Sequence, residues 1–305
     1  MTQGRTFNFD FMSRARLAVI GSVVLIVVSL ASLAVQGLNL GIDCTGGTVV
    51  EVGYEQAADL GEVRAALGEG GFPGAVAQHY GTARDVLVRI PPGDAAAEAK
   101  LSTRVLAALS ARSDGEITIR RVEFVGPQVG DELLLDGGLA ILFALLGILA
   151  YVAFRFEHRF ALGAILALVH DVIVTVGVFS LLRIEFDLTV LAAVLAVIGY
   201  SLNDTIVIYD RVRENFPRMR KAGTVEIINR SINDTLTRTI ATSVTTLLAL
   251  LPLLLVGGQT IFGFALALTI GVLVGTYSTI YMASWVLLPL GLKREDMLAP
   301  VKEGA

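Results

Sequence analysis

The chain has 305 residues, of which 54% are hydrophobic and only 17% charged, and its mean hydropathy is +0.70. These values exclude an ordinary water-soluble domain and define an integral membrane protein. The formal charge of -4 argues against nucleic acid as a partner. The single cysteine, Cys44, excludes an intramolecular disulfide, and His79, His158 and His170 are too far apart in sequence to mark a metal site, so no metal and no cofactor is expected.

Residues 1–16 are polar and carry Arg5, Arg14 and Arg16, and an almost unbroken apolar run follows from 17 to 35. That run exceeds the roughly 7–15 residues of a signal-peptide core, and Val35-Gln36-Gly37 is a poor small-x-small cleavage site, so an uncleaved first transmembrane helix is expected over the segment 1–37. From 38 to 132 the pattern alternates between periods of 2 and 3.6. Residues 48–52 read as a strand, Asp59 as the cap of a helix through Leu67, and 75–80 and 85–90 as two further strands. Asp94 caps a second helix to about Ser110, with Leu101, Val105, Leu106 and Leu109 along one side, and 116–125 closes the unit as a strand. The order strand, helix, strand, strand, helix, strand predicts a small ferredoxin-like α+β domain with both helices on one face of an antiparallel sheet.

Apolar sequence then resumes, with spans expected at 134–154, 160–182, 188–210, 236–256 and 262–289 in a bundle covering 133–290, and a tail at 291–305. With the first helix these make six. The third of these segments must run on past Ile198, because 188–198 alone cannot cross a hydrocarbon core of roughly 30 Å at 1.5 Å per residue. Asp204 is therefore expected inside the membrane. Arg and Lys gather at the termini and the even-numbered connections: Arg155 and Arg159; Arg211, Arg213, Arg218, Arg220, Lys221 and Arg230; Lys293, Arg294 and Lys302. By the positive-inside rule both termini are cytoplasmic and the 38–132 domain lies outside. Arg211 and Arg213 read as the anchor that stops the helix of Asp204.

Three spans carry polar groups at membrane depth. One has His170-Asp171 near its centre and Thr175 a turn on, the next has Asn203-Asp204-Thr205, and the following one, starting near Asn233, has Thr235, Arg238, Thr242 and Thr245 or Thr246 at helical spacing. Counting from the cytoplasmic boundary puts Asp204 on the order of 9 Å deep, Arg238 at a similar depth and Asp171 on the order of 16 Å. A buried carboxylate beside an arginine can exchange protonation states, because desolvation disfavours its charge and the cation favours it, as a proton relay requires. The plainer readings are a fixed Asp204–Arg238 pair holding helices together, or an Arg238 that snorkels to the surface. For His170 and Asp171 a structural and a relay role stand level, Thr242 and its neighbours read as helix-contact hydroxyls, and Asn203 is expected to orient Asp204 or a water. Gly271-Val272-Leu273-Val274-Gly275 is a close-packing motif of low specificity. Tyr281 and Trp285 read as interfacial anchors.

Gly41-Ile42-Asp43-Cys44-Thr45-Gly46-Gly47, Val125-Gly126-Pro127-Gln128-Val129-Gly130, His170-Asp171, the stretch from Ser201-Leu202-Asn203-Asp204-Thr205 to Tyr209-Asp210-Arg211, and Ser231-Ile232-Asn233-Asp234-Thr235-Leu236-Thr237-Arg238-Thr239 together resemble the SecF family. These are membrane subunits of the bacterial SecDF protein-export complex, related to the resistance-nodulation-division transporters. The resemblance covers essentially the whole chain and departs at Cys44, where the family more commonly has Phe. It implies a protein of the bacterial inner membrane with a periplasmic domain, SecD as a partner supplying a second six-helix half, and SecYEG as the channel served. It further implies proton flow coupled to preprotein export, with Asp204 as the proton-coupling acid and Arg238 as the essential arginine.

No Gly-x-x-x-x-Gly-Lys-Ser/Thr phosphate loop occurs, so an energy-consuming role is expected to draw on an ion gradient and not on nucleotide held by this chain. Two other functions fit parts of the pattern. An intramembrane aspartyl protease would pair Asp171 with Asp204, against which stand their depth difference of about 7 Å and the absence of a Gly-x-Gly-Asp motif. A small-molecule exporter of the same superfamily would need a larger external domain. The reading favoured is a transport subunit and not an enzyme.

Overall fold

The structure, a computed structural model, describes residues 8–92, 100–113 and 115–292. Arg5, the cap expected at Asp94, and Lys293, Arg294 and Lys302 of the tail lie outside the described residues. Among the described residues six helices are long and apolar enough to cross a membrane. The first, α1 (Phe11–Gln36), starts where Asp10 accepts a hydrogen bond from the Ser13 amide at 3.1 Å.

After α1 come β1 (Asn39–Leu40), a single turn α2 (Ile42–Thr45), β2 (Gly47–Tyr54), α3 (Leu60–Glu69), β3 (Val76–Tyr80), β4 (Thr82–Ile90), α4 (Leu101–Ser110) and β5 (Ile117–Val125). Asp59 caps α3, its carboxylate accepting from the Gly61 amide at 2.6 Å. The four longer strands form one antiparallel sheet in the order β3-β4-β2-β5. Alternation along β2 sends Val50 and Val52 to a core with Val63 and Leu67 of α3 and Val105 and Leu109 of α4. Val49, pointing the other way, packs with Ile42 and Leu87. Both faces of β2 are thus covered, which is why its burial is almost continuous.

The chain then enters α5 (Pro127–Arg155), α6 (His158–Leu181), β6 (Glu185–Phe186), α7 (Leu188–Arg218), α8 (Thr224–Val256), α9 (Gln259–Ser278), a π-helical turn (Thr279–Ala283) and α10 (Ser284–Val286). Three sequence expectations change here. The α7 helix does not stop at Arg211: it continues to Arg218, because Arg211 pairs with Glu214 at 2.9 Å one turn on and with Asp234 of α8 at 2.9 Å. The α8 helix starts about two and a half turns before Asn233. Its polar first turns resemble a loop in sequence, yet Asn229 and Asn233 accept from the backbone amides of Phe11 and Phe9, both at 2.8 Å. The last span is not one continuous helix, since its course is broken by the π turn.

The domain is fastened to the bundle at one end, called here the domain end. Residues of β1 pair in parallel with β6 in the connection between α6 and α7. Arg89 of β4 bonds the Leu40 carbonyl at 2.7 Å and forms a salt bridge with Glu185. Burial pushes the Glu185 carboxyl above its ordinary range, with Arg89 pulling against it. At the foot of the domain Gly46 and Gly47 have φ of 69° and 119°, which L side chains rarely adopt. A Cβ on Gly47 would also lie 2.5 Å from the Ile90 carbonyl, and one on Gly130 of α5 would lie 2.7 Å from the Gly46 nitrogen. Backbone therefore meets backbone where the domain joins α5.

Candidate functional site

Asp204 sits on the buried face of α7, 2% exposed. Its height against α8 follows from two contacts between these antiparallel helices: Tyr200 to Ser243 at 3.5 Å, and Arg211 to Asp234 at 2.9 Å. Moving one turn from Tyr200 towards Arg211 reaches Asp204, and one turn from Ser243 towards Asp234 reaches Thr239. Asp204 is therefore level with Thr239, with Arg238 and Thr242 flanking that position. Arg238 acts on Asp204 electrostatically, and the Thr242 hydroxyl is close enough to interact with it. Neither carboxylate oxygen of Asp204 nor the Thr239 hydroxyl has a hydrogen-bond partner among the described residues. The Thr242 hydroxyl is turned back onto its own helix, to the Arg238 and Thr239 carbonyls at 3.1 and 2.9 Å. Arg238 itself is exposed on the outer side of α8 and makes no ion pair among the described residues. The two groups are neighbours without being a closed pair.

Asn203 and Asp204 lie on different faces of α7. Successive residues of a helix are turned by about 100°, and this rotation puts Asn203 on the exposed face of α7 in line with Ala192, Ala196 and Gly199. Arg213 joins Asp210 and Arg155 at the end of the bundle opposite the domain, where Asp210 accepts from Arg155 at 3.1 Å. Tyr281 lies at that end too, its ring 6.1 Å from that of Phe11.

The polar group that is fully assembled lies around Asp171, one turn nearer the domain end. His170 and Asp171 of α6 are 1% and 0% exposed. The His170 Nδ1 lies 2.9 Å from Asp171 Oδ1, while Asp171 Oδ2 accepts from Ser201 of α7 at 2.6 Å and from Ser278 of α9 at 2.8 Å. Thr205, next to Asp204, meets Thr279 of the π turn at 3.1 Å. Ser278 and Thr279 were not singled out from sequence, and Ser201 entered only as part of the family motif. Ser201 is one turn before Asp204 on the same face, a signal that helical spacing could have supplied; nothing in the sequence marks Ser278, which owes its place to the packing of α9. The close approach comes from Gly271 and Gly275: a Cβ on Gly275 would lie 3.1 Å from the Ser201 Cβ. No hydrogen bond joins Asp171 to Asp204 among the described residues, so they do not share a proton as a hydrolytic dyad would. Among the described residues no cluster of His, Cys, Asp or Glu has the arrangement of a metal site.

These features define a polytopic helical membrane protein with an extramembrane α+β domain and buried acids between its helices. Residues 105–293 match the family described as protein export membrane protein SecD/SecF, C-terminal, and residues 31–58 match the SecD/SecF GG motif. The protein translocase subunit SecF of Pseudomonas aeruginosa is 54% identical over 294 residues, covering 96% of this chain and 95% of that protein. SecF of Escherichia coli O157:H7 is 45% identical over 300 residues, covering 97% and 93%. Among solved structures, a crystal structure of SecDF, a translocon-associated membrane protein, from Thermus thermophilus is 40% identical with a TM-score of 0.84, covering 93% of this chain. The present chain spans 39% of the length of that SecDF chain. A second structure, SecDF in super-membrane-facing form, gives a TM-score of 0.69 at the same identity. The chain belongs to the SecF family of protein translocase subunits.

Proposed function

We propose that this chain is a proton-motive-force-coupled accessory subunit of Sec protein translocation, acting with SecD as its second half and with SecYEG as the channel, and that it is not an enzyme. In this reading both termini are cytoplasmic, and the domain of residues 38–132 is a periplasmic ferredoxin-like unit between the first helix and the bundle of 133–290. The observation that carries the proposal is Asp204: a buried acid whose carboxylate oxygens make no close hydrogen bond among the described residues, with Arg238 and the Thr242 hydroxyl near enough to act on it. Burial disfavours the carboxylate charge and a guanidinium favours it, so the charge state of Asp204 depends on where Arg238 sits. Protonation from the periplasmic side and release to the cytoplasm can thereby alternate two arrangements of α7 and α8.

The mechanical output follows from the connection between α6 and α7. That connection joins the two helices carrying Asp171 and Asp204, and it is held to the domain by the β1–β6 pairing and the Arg89–Glu185 bridge. A shift of α7 against α6 therefore pulls on the domain, which helps draw a preprotein outward after the SecA ATPase has pushed it. One charge moved through 100 mV yields about 2.3 kcal/mol, enough to shift a two-state equilibrium about fiftyfold. The exposed Arg238 and the exposed small-residue line ending at Asn203 belong, in this reading, to the surface that SecD covers.

The test is export into membrane vesicles holding the assembled complex, at fixed SecA and ATP, with and without a proton gradient. Asp204→Asn is expected to remove the gradient-dependent part of export while leaving the complex assembled. Gradient-dependent export that persists unchanged in that variant refutes the proposal.

A further inference from the structure

We infer that Asp171, Ser201 and Ser278 form a second proton-carrying station on the domain side of Asp204, feeding it through the hydroxyls of Thr279 and Thr205. The inference rests on the proton-coupled reading of Asp204 and extends it to residues on three other elements. Asp171 is fully buried, and its carboxylate is met by one donor from α7 and one from α9, with His170 beside it on α6. A cluster that only pinned three helices together would be closed. This one is open on both sides.

Towards the domain end, the Thr175 hydroxyl, on a residue 0% exposed, has no hydrogen-bond partner among the described residues, and neither has the Nε2 of the buried His170 beside Asp171. Thr175 lies one helical turn beyond Asp171 on the same face, so polar atoms continue from the acid towards that end. Towards Asp204, Ser278 is followed by Thr279, both 0% exposed, and Thr279 meets Thr205 at 3.1 Å. Ser278 and Thr279 are adjacent residues that both face the interior, as His170 and Asp171 do on α6. Here the π turn begins at Thr279, with the Tyr209 hydroxyl on the Ala283 carbonyl at 3.0 Å and the Ser284 hydroxyl on the Thr279 carbonyl at 3.1 Å. Such turns recur at functional sites.

Each serine and threonine hydroxyl both donates and accepts, so a proton can enter on one lone pair as another leaves. The carboxyl proton of Asp171 passes to Ser278 Oγ, whose own proton passes to Thr279, then from Thr279 to Thr205, and from Thr205 to the Asp204 carboxylate. At each hydroxyl oxygen one O–H bond forms as one breaks, while Asp171 loses its O–H bond and Asp204 gains one. The net change is one proton moved from Asp171 to Asp204. The steps between the sequence neighbours Ser278 and Thr279, and between Thr205 and Asp204, are closed by hydroxyl rotation or by a bridging water. The titratable groups facing Asp171 are His170 on its own helix, Tyr277 of α9, whose ring lies 6.5 Å from the imidazole, and Asp204 one turn on along α7. Tyr277 is itself engaged, donating to the Ala18 carbonyl of α1 at 2.5 Å.

The experiment measures proton flux in proteoliposomes that hold the whole complex and an internal pH dye, under an imposed gradient. Wild type is expected to carry protons and Asp204→Asn to carry none. Asp171→Asn, the Ser201→Ala/Ser278→Ala pair and Thr279→Val are each expected to slow flux about tenfold or more, the factor that loss of one hydrogen bond to a charged group corresponds to. Thr279→Ser, which keeps the hydroxyl and loses only a methyl, is expected to carry protons at nearly the wild-type rate. If Asp171→Asn fails to assemble, the serine pair and the two Thr279 variants decide. Wild-type flux in the serine pair and in Thr279→Val, with Asp204→Asn still inactive, overturns the second station and leaves Asp204 in place. Equal slowing by Thr279→Val and Thr279→Ser assigns the position to packing and also overturns it. A wild-type complex that carries no protons removes the Asp204 reading and this one together.

Discussion

The contact between α7 and α9 sets the distance over which Ser201 and Ser278 reach Asp171, and Gly271 sets that contact. A methyl on Gly271 would lie 2.1 and 2.6 Å from the two γ carbons of Val197, and 2.9 Å from its Cβ. Carbon atoms rest at about 3.5–4.0 Å, so Gly271→Ala forces the helices apart by about 1 Å or more at that level. Such overpacking costs about 1–3 kcal/mol, and in a membrane it falls wholly on packing, because no hydrophobic force holds the helices together. The same movement stretches the 2.6 Å Ser201–Asp171 bond and the 3.1 Å Thr205–Thr279 bond. Val197→Ala alone removes the two opposing γ carbons and costs about 1 kcal/mol or somewhat more in lost contacts. In the double variant the new methyl occupies space that Val197 vacated, so the loss is expected to be smaller than the sum of the singles by about 1–2 kcal/mol. Thermal or denaturant unfolding of the detergent-solubilised protein, run as a double-mutant cycle, measures this coupling. Additive losses, or a Gly271→Ala protein as stable as wild type, would refute the packing argument.

Other outcomes are expected elsewhere in the molecule. Burial pushes Tyr54 of the domain up to about 12 from its ordinary 10.0. Because the folded value is the higher one, the associated stability is complete below pH 10.0 and is lost as pH rises through about 12. Ultraviolet titration should show Tyr54 ionising late, and Tyr54→Phe should remove that loss over the same window. Arg89→Ala leaves Glu185 buried without its cation and frees the Leu40 carbonyl, so the domain should swing more freely at β1–β6. Cross-linking between cysteines placed at the paired positions 40 and 186, which keep Glu185 and the backbone carbonyl at 40, should become slower. Asn233→Ala removes the Phe9 amide and carbonyl bonds, both 2.8 Å, at about 1–2 kcal/mol. Hydrogen exchange at residues 9–12 should accelerate while that of α8 stays unchanged.

Sequence reading was most secure where the signal is local. The length of each apolar run decides whether a helix can cross a bilayer, and all six candidate helices coincide with such runs. Asp59 capping α3 was equally legible, because a cap depends on the next two or three residues. Polar residues such as His170, Asp171, Asp204 and Arg238 stood out because the membrane makes each of them conspicuous.

What those residues meet depends on the relative height and rotation of separate helices, and no single helix records either. Asn203 and Asp204 are adjacent in sequence, yet one faces outward and the other inward, because the side of α7 that is buried is chosen by α6, α8 and α9. Asp171 takes its two hydroxyl donors from α7 and α9, at positions 30 and 107 residues away. The π turn at Thr279 is written in tertiary hydrogen bonds from Tyr209 and in a local one from Ser284, not in a breaker residue. The two-residue pairing of β1 with β6 is too short for any periodicity to reveal, and forms because Arg89 and Glu185 bring the domain onto the bundle. The chain itself thus determined the six spans, the α+β domain pattern and the presence of intramembrane acids. Tertiary packing alone decided that Asp204 lies open beside Arg238 while Asp171 is ringed by donors, since hydrogen bonds between helices are selected by register and not by composition.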